Sequence, residues 1–222
     1  MTIETASCAM MAGDFYAPPA AREEEIRERC ALLISRARAG DAHAFEQLML
    51  ETERKVVATA WRMLGNREDA RDAAQEVFLR VYKYLDRFKP EQNFNAWLYR
   101  ITINVCRDAA RKRGTAQGGS GQFVARETNR DRAVRENLAS ASDAETDAIL
   151  AQQRAMVACA LATLPEKERA AFVLRDLEGL TTEEVARILH SRPVTVRSQI
   201  SSARTKIKIY CERWLHNGGR HD

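Results

Sequence analysis

The segment Leu180–Lys208, LTTEEVARILHSRPVTVRSQISSARTKIK, has the pattern of two helices joined by a tight turn. Thr181 can cap the first helix, while the carboxylate of Glu184 can reach back to the cap and satisfy a second amide. The apolar residues that follow recur at the three- and four-residue spacing of a helix. The segment therefore predicts a helix-turn-helix.

The second helix of this segment carries basic and neutral polar side chains and no acid. Ser191 is its predicted cap, and Pro193 fits its first turn because the amides there lack intrahelical partners. Donors of this kind suit phosphates and base edges in a major groove, which favours DNA binding over a merely solvated basic surface. The outward-facing residues are Arg192, Arg197, Ser198, Gln199, Ser201, Ser202, Arg204, Lys206 and Lys208.

Composition predicts an all-α protein with two helical domains. The 222 residues carry 30% charged side chains and a net charge of +4, as in a soluble, mildly basic protein. Apolar residues recur at helical spacing, and no alternating stretch suggests a hairpin. The predicted parts are an N-terminal extension over 1–22, a first domain over 23–113, a flexible linker over 114–143, a second domain over 144–215 and a tail over 216–222.

Caps and glycines place the individual helices. Helices are predicted from Ala20 to Gly40, from the cap Asp41 to Gly65, and from the cap Asn66 onward. The helix after Asn66 has a predicted buried stripe that includes Val81 and Tyr82. Asn95 is the predicted cap of the next helix. In the second domain, Pro165 is predicted to start a helix and Gly179 to end one.

Several classes of protein are disfavoured by what the sequence lacks. No apolar run is long enough for a membrane span and no export signal begins the chain, so a cytoplasmic protein is expected. The five cysteines are scattered and the histidines dispersed, which predicts buried thiols and no metal site. Neither a phosphate loop nor a nucleophile with its base is evident, so we expect no cofactor, no small-molecule substrate and no enzymatic activity.

An acidic face marks the helix that follows Asn66. Its members are Asp69, Asp72, Gln75 and Glu76. Acids near a helix N-terminus are stabilised by the helix dipole, by roughly 0.3–1 kcal/mol each, which explains the pattern without any partner. A partner surface that bears arginines is the functional alternative. The spacing leaves both interpretations open.

The segment from Arg87 to Arg113 mixes aromatic and basic residues. Aromatic rings beside a basic groove can bind single-stranded nucleic acid, because each unpaired base can stack on a ring. Phe94 and Trp97 are nevertheless predicted to be at least half buried, and packing alone could explain them. A four-three-four spacing places four polar residues on one helical face. They are Arg100, Asn104, Arg107 and Arg111.

The order of these parts resembles the extracytoplasmic-function sigma factors, the small two-domain group of the sigma family of bacterial RNA polymerase. The resemblance covers about 40–113 and 155–213. In the first range it is carried by the segments 40–45, 69–81 and 94–101 with Asn104 and Asp108. In the second range it is carried by Leu164-Pro165, Glu178-Gly179-Leu180-Thr181, Glu183-Glu184-Val185-Ala186 and Thr195-Val196-Arg197-Ser198.

This resemblance implies a factor that directs core polymerase to promoters. The acidic face, with Phe78, corresponds to the surface that binds the β′ clamp helices, and the second domain is expected at the β flap. Melting and reading of the minus-ten element is implied for Lys89, Asn93, Phe94, Trp97, Arg100, Asn104, Arg107, Asp108 and Arg111. Reading of the minus-thirty-five element is implied for Arg192, Thr195, Arg197, Ser198, Gln199, Ser201 and Arg204. An anti-sigma factor is the further partner that the resemblance implies.

Departures from the family pattern occur within the helix-turn-helix. Family members often have glycine where this chain has His190 and Val194, although histidine tolerates a left-handed conformation better than most residues. They often have further basic residues at Gln199 and Ser202, which bears on base preference. A self-sufficient dimeric helix-turn-helix regulator is the alternative function, and it leaves the first domain's acidic and aromatic features unexplained.

Overall fold

The computed structural model describes residues 20–89, 92–116 and 156–216, and every regular element in these ranges is helical. The all-α prediction is thereby confirmed for this part of the chain. Nearly all of the predicted N-terminal extension, most of the predicted linker and the tail after residue 216 lie outside the described residues.

The first domain contains four helices and one short 3-10 turn. Their bounds are α1 Ala20–Arg38, α2 Ala42–Leu64, α3 Arg67–Tyr84, the 3-10 turn Leu85–Arg87, and α4 Phe94–Ala116. Helix α2 packs against the other three helices, and its Leu48, Val56 and Ala60 are almost fully buried. The core of this domain is therefore arranged around α2.

Local capping chemistry sets most of these helix ends. The Asp41 carboxylate accepts a hydrogen bond from the Ala44 amide at 3.1 Å, and the Asn66 side chain accepts one from Glu68 at 2.8 Å, as predicted. Gly65 ends α2 with a left-handed φ of 66°. The predicted cap at Asn95 is wrong, because Asn93 Oδ1 accepts from the Asn95 amide at 2.9 Å and α4 already begins at Phe94.

One predicted core position on α3 lies at the surface. The Tyr82 side chain is 69% exposed, whereas its neighbour Val81 is buried. Successive residues on a helix are about 100° apart, so the two cannot both face the core. The ring of Tyr82 instead contacts Phe45 edge-on, with the ring centroids 5.1 Å apart.

The second domain is a set of short helices that ends in one long helix. Residues 156–162 are helical and are followed by α5 Glu166–Phe172, a π-helical turn Val173–Leu177, α6 Thr182–Leu189 and α7 Pro193–His216. Helix α7 packs against α5 and α6. Helices α6 and α7 form the predicted helix-turn-helix.

The turn between α6 and α7 agrees with the sequence in two features and departs in one. Thr181 and Glu184 form the predicted capping box, with the Glu184 amide 3.2 Å from the Thr181 hydroxyl. His190 adopts the left-handed conformation, with φ 52° and ψ 44°. The predicted cap at Ser191 is wrong, because α7 begins at Pro193 and the Ser191 hydroxyl donates to the Leu189 carbonyl at 3.3 Å.

Substitution Thr181→Ala tests the capping box. It removes the oxygen that accepts from the Glu184 amide, and we expect a loss of about 1 kcal/mol in the free energy of unfolding. Urea denaturation of wild type and variant measures it. Thr205→Ala is the control, since the Thr205 hydroxyl only donates back to the Ser201 carbonyl in the middle of α7. Equal losses in both variants would contradict the cap.

The two domains pack against each other. Helix α4 contacts α6, and α2 contacts α5. At the second contact, the buried Arg169 guanidinium donates to the Met63 carbonyl of α2 at 2.8 Å. None of the helices in the described ranges has the length and apolar character that a membrane crossing requires.

Candidate functional site

The acidic face of α3 is exposed at its centre and tied by ion pairs at its edges. Asp72 and Gln75 are exposed. Asp69 forms an ion pair with Arg113 of α4, and Glu76 accepts from Arg80 Nε at 2.7 Å. These pairs leave the centre of the face accessible to a partner.

Phe78, one of the predicted polymerase-binding residues, is not accessible to a partner. Its side chain is buried in the core of the first domain, so it supports α3 from behind. The large hydrophobic residues exposed on this side are Leu79 and Tyr82, which are 65% and 69% exposed. Positions 72, 75, 79 and 82 follow one another at helical spacing, so this spacing could have identified both residues. We call Asp72, Gln75, Leu79 and Tyr82 the α3 face.

Three aromatic rings form a cluster at the start of α4. The ring of Phe88 lies 5.5 Å from that of Phe94 and 5.4 Å from that of Trp97, measured between centroids. Phe94 is buried and Trp97 is partly buried, so the prediction that both are at least half buried is confirmed. Lys89 beside the cluster is exposed. Trp97 therefore has both firm packing support and an accessible edge.

The polar face of α4 lies against the second domain. Arg107 Nε donates to Glu166 at 2.7 Å, and the Arg100 guanidinium lies 3.4 Å from the His190 ring. Asn93, which caps α4, donates its Nδ2 to Glu184 at 3.1 Å. The spacing that placed these residues on one face was informative, but it gave no sign of these contacts.

The remaining residues of this face have local contacts. Asp108 accepts from Arg80 Nη1 at 3.4 Å and lies 4.0 Å from Arg111 Nη1. Asn104 is half-buried on α4. Together with Lys112, the residues Arg80, Asp108 and Arg111 line a shallow depression of about 250 Å³. The depression is bordered by three cations and one carboxylate, which gives it a net positive charge.

Glu178 lies at the centre of the contact between the domains. Its Oε1 accepts from the Thr59 hydroxyl at 2.8 Å and from Arg62 Nη1 at 2.5 Å, and its Oε2 accepts from the Tyr99 hydroxyl at 2.6 Å. Burial, followed by the negative charge of Glu178, raises the pKa of Tyr99 far above its usual value. The phenol therefore remains a proton donor. No sequence pattern identified this group, because its members are far apart in the chain.

Helix α7 presents its N-terminal half to solvent. The exposed residues among those predicted to read DNA are Arg192, Thr195, Arg197, Ser198, Ser201 and Arg204. Val194, which the site prediction omitted, is 66% exposed at the same end. An apolar side chain there can contact a thymine methyl group in a major groove. Gln199 is only partly exposed, and its amide oxygen is buried.

Two arginines of α7 differ in how firmly they are held. Arg204 makes two hydrogen bonds of 2.7 Å to the Asp176 carboxylate, whereas Arg197 lies 3.5 Å from Glu183 at an exposed site.

Burial acts to raise the pKa of nearby Glu184, but hydrogen bonds from the Thr181 amide and hydroxyl and from Asn93 lower it on balance. Glu184 is therefore ionised at neutral pH and holds the start of α6 in place.

Two of the free cysteines, Cys30 and Cys106, have thiols that resist ionisation. Burial raises the pKa of Cys106 to about 12. Burial and the neighbouring Glu51 carboxylate also raise the pKa of Cys30. Both thiols stay protonated at neutral pH, which makes them poor nucleophiles. Within the described ranges, no group of three or more His, Cys, Asp or Glu residues is arranged to hold a metal ion.

Comparison with known families matches both halves of the chain. The family model of sigma-70 region 2 matches residues 48–115, and that of sigma-70 region 4 matches residues 154–207. The RNA polymerase sigma-H factor of Pseudomonas aeruginosa is 33% identical over 82% of this chain and 93% of its own length. The ECF RNA polymerase sigma-E factor of Escherichia coli K12 is 32% identical over 79% and 91%. The chain belongs to the extracytoplasmic-function group of the sigma-70 family.

The fold of this sigma factor also resembles that of a solved structure. A sigma factor of Bartonella quintana, in complex with the anti-sigma factor NepR, aligns with a TM-score of 0.59 at 23% identity, over 76% of this chain and 96% of the other. The region 2 match includes the α3 face and nearly all of α4. The region 4 match includes α5, the π-helical turn, α6 and the exposed half of α7. The candidate surfaces thus fall inside the matched family regions.

Proposed function

We propose that this sigma factor binds core RNA polymerase through its first domain and directs initiation at specific promoters in the cytoplasm. The observation that carries the proposal is the order of the two matched regions, each with an exposed surface of suitable chemistry. Region 2 precedes region 4, and the relatives that align over 82% and 79% of the chain are RNA polymerase sigma factors. The activity is binding and strand capture, with no covalent chemistry.

The α3 face is the proposed contact with the β′ clamp helices. Asp72 supplies a negative charge, and Leu79 and Tyr82 supply exposed apolar area beside it. An apolar centre beside charged groups is typical of a protein interface, where aromatic residues contribute most to affinity. The second domain is proposed to contact the β flap.

The start of α4 is the proposed site of minus-ten melting. The partly exposed Trp97 rests on two further rings, so it can stack on an unpaired base without being displaced. Stacking of this kind contributes about 1–3 kcal/mol per base and offsets the stacking lost in the duplex. Lys89 and the polar residues of α4 are the proposed contacts with the backbone of the separated strand, whereas the buried Phe94 supports Trp97.

The N-terminal half of α7 is the proposed reader of the minus-thirty-five element. Arg192, which precedes α7, and the exposed Thr195, Arg197 and Ser198 on α7 can reach base edges or phosphates when α7 enters the major groove. The paired carboxylate of Asp176 fixes the direction of Arg204, which suits a contact with the phosphate backbone. Gln199 and Ser201 complete the proposed reading residues.

An anti-sigma factor is the proposed regulatory partner. The Bartonella sigma factor to which this fold is similar was solved with its anti-sigma factor bound. The exposed apolar residues of the α3 face and Val194 of α7 are candidate contacts for such a protein. A stand-alone dimeric regulator remains the second candidate, because α6 and α7 alone would suffice for it.

Run-off transcription with core polymerase on genomic fragments tests the proposal. We expect defined start sites that depend on this chain, and little sequence-specific binding to DNA by the free protein in gel shifts. Tight binding of the lone chain to a palindromic site, together with a stable dimer in size exclusion, would instead favour the dimeric regulator.

Substitution Asp72→Lys tests the polymerase contact. We expect affinity for core polymerase to fall at least about tenfold, because a charge is reversed within a complementary interface. Fluorescence anisotropy of labelled protein titrated with core enzyme measures the effect. Glu53→Lys makes the same charge reversal at an exposed position of α2 and should change affinity by less than about twofold. Equal effects of both substitutions would contradict the assignment of the α3 face.

A further inference from the structure

Val194 is an exposed apolar residue in the first turn of α7, the helix proposed to enter the major groove. Its side chain is 66% exposed and takes no part in the hydrophobic core of the described residues. A single exposed valine is ordinary on a protein surface and needs no explanation by itself. Its position on α7 is what makes this one informative.

The side chain of Val194 is directed away from the core of the second domain. Successive residues of an α-helix are about 100° apart, so Val196, Ile200 and Ala203 lie about 180–240° around α7 from Val194. All three are buried. Val194 therefore occupies the side of α7 opposite to its packing side, and packing within the domain does not require a valine there.

The neighbours of Val194 on this side of α7 are polar. Arg197, Ser198, Ser201 and Thr205 lie within about 60° of its direction, and all four are exposed. Val194 is thus an apolar residue within a polar row. Valine is also a weaker helix former than alanine, because its branched Cβ restricts χ1. Neither packing nor helix propensity accounts for Val194, which favours a contact with a partner.

Two cations of α7 are held by acids of their own domain. Arg204 makes two hydrogen bonds of 2.7 Å to Asp176, and Lys206 Nζ lies 2.9 and 2.8 Å from the carboxylate oxygens of Glu168. The two carboxylates are only 11% and 17% exposed, so they are firmly placed within the domain. These pairs reduce the positive charge that α7 can offer to DNA phosphates. Recognition by α7 therefore depends more on its neutral side chains.

Thymine is the base whose edge suits an exposed valine. In the major groove it presents a C5-methyl group beside its O4 acceptor, and apolar side chains contact that methyl group. We propose that Val194 is a specificity-determining residue of this sigma factor, whose side chain contacts the methyl group of one thymine in the minus-thirty-five element. The proposal rests on the function proposed above, because it requires α7 to lie in the major groove.

Replacement of thymine by deoxyuridine tests the contact, since it removes only the methyl group. Holoenzyme reconstituted from core polymerase and the full-length chain first selects promoters from a library that is randomised in the minus-thirty-five element. Each thymine of the selected element is then replaced in turn, and competition binding measures the affinity. We expect one replacement to weaken binding of the wild-type holoenzyme about fourfold, as for the burial of one methyl group. In Val194→Ala holoenzyme the same replacement should change affinity less than about twofold.

Two further variants separate a methyl contact from a general effect on α7. Val194→Ile keeps an apolar, branched side chain and should retain the sensitivity to deoxyuridine. Ile209→Ala removes apolar area from another exposed position of the same helix, where Ile209 is 42% exposed, and should retain the sensitivity as well. Alanine is the better helix former, so Val194→Ala should unfold at no lower urea concentration than the wild type.

Loss of the deoxyuridine effect in Val194→Ala, and in neither of the other variants, supports the proposal. An equal effect in the wild type and in Val194→Ala overturns it, as does a selected element in which no thymine responds to the replacement. Either of these results would instead assign the exposed valine to a protein partner. Failure of the proposed function is distinguishable, because the holoenzyme would then select no upstream element and give no run-off transcripts that depend on this chain.

Discussion

Replacing Arg169 with methionine is expected to destabilise the protein by about 3–5 kcal/mol. The guanidinium is buried and donates to the carbonyls of Leu161, Ala162 and Leu164 in its own domain and to that of Met63 in the other. Methionine fills the space of the aliphatic stem but donates no hydrogen bond. Each buried carbonyl that loses its donor costs about 1–3 kcal/mol, offset in part because the buried cation is also removed.

Differential scanning calorimetry measures this effect. A loss of this size corresponds to a fall of roughly 10 °C in the unfolding midpoint for a protein of this length. Lys167→Met is the matched control, because Lys167 is exposed two residues earlier on the same helix. Its midpoint should stay within about 2 °C of wild type. A fall of less than about 3 °C for Arg169→Met would contradict the role of Arg169 as a donor to these carbonyls.

The same residue shows which features a sequence of this kind can predict. Caps at Asp41, Asn66 and Thr181 were predictable, because each depends on a side chain and an amide within three residues. Arg169 carries no such signal, since its donation to Met63 joins residues 106 positions apart. Burial also lowers the pKa of Arg169 to about 10, a consequence of packing that composition could not indicate.

The incorrect predictions have equally specific causes. Asn93 and Asn95 both have suitable cap chemistry, so only the backbone decides which one caps α4. Residue type suits both Val81 and Tyr82 to the core, but adjacent positions of α3 face different directions and only Val81 is buried. Phe78 matched a family surface in sequence, but its side chain points into the core. In these cases residue type alone indicated neither where the helix begins nor which way the side chain points.

The contacts between domains lay beyond sequence reasoning for a related reason. Glu178 and Tyr99 are 79 residues apart, and the charges of the second domain that meet α4 are spread over several helices. A pattern search compares neighbours in the chain, whereas these side chains become neighbours only after both domains have folded. The two candidate surfaces could therefore be predicted from the sequence, but the contacts of the α4 face with the second domain could not.

Two leucine substitutions in the first domain should differ strongly in their effect on the free energy of unfolding. Leu98 is almost fully buried on α4, so Leu98→Ala should cost about 2–5 kcal/mol of unfolding free energy through lost burial and the resulting cavity. Leu79 is 65% exposed on the α3 face, so Leu79→Ala should change stability by less than about 0.5 kcal/mol. Urea denaturation of the two variants measures this difference.

For affinity to core polymerase, Leu79→Ala should have the larger effect and Leu98→Ala the smaller one. If the α3 face contacts the clamp, Leu79→Ala removes apolar area from the centre of that interface and should weaken affinity about 5–30-fold, equivalent to about 1–2 kcal/mol. At a temperature where it remains folded, Leu98→Ala should bind within about threefold of wild type, because its side chain never reaches the interface. Unchanged affinity of Leu79→Ala would exclude this apolar patch from the contact. The pair therefore separates loss of fold from loss of function with the same chemical change at two positions.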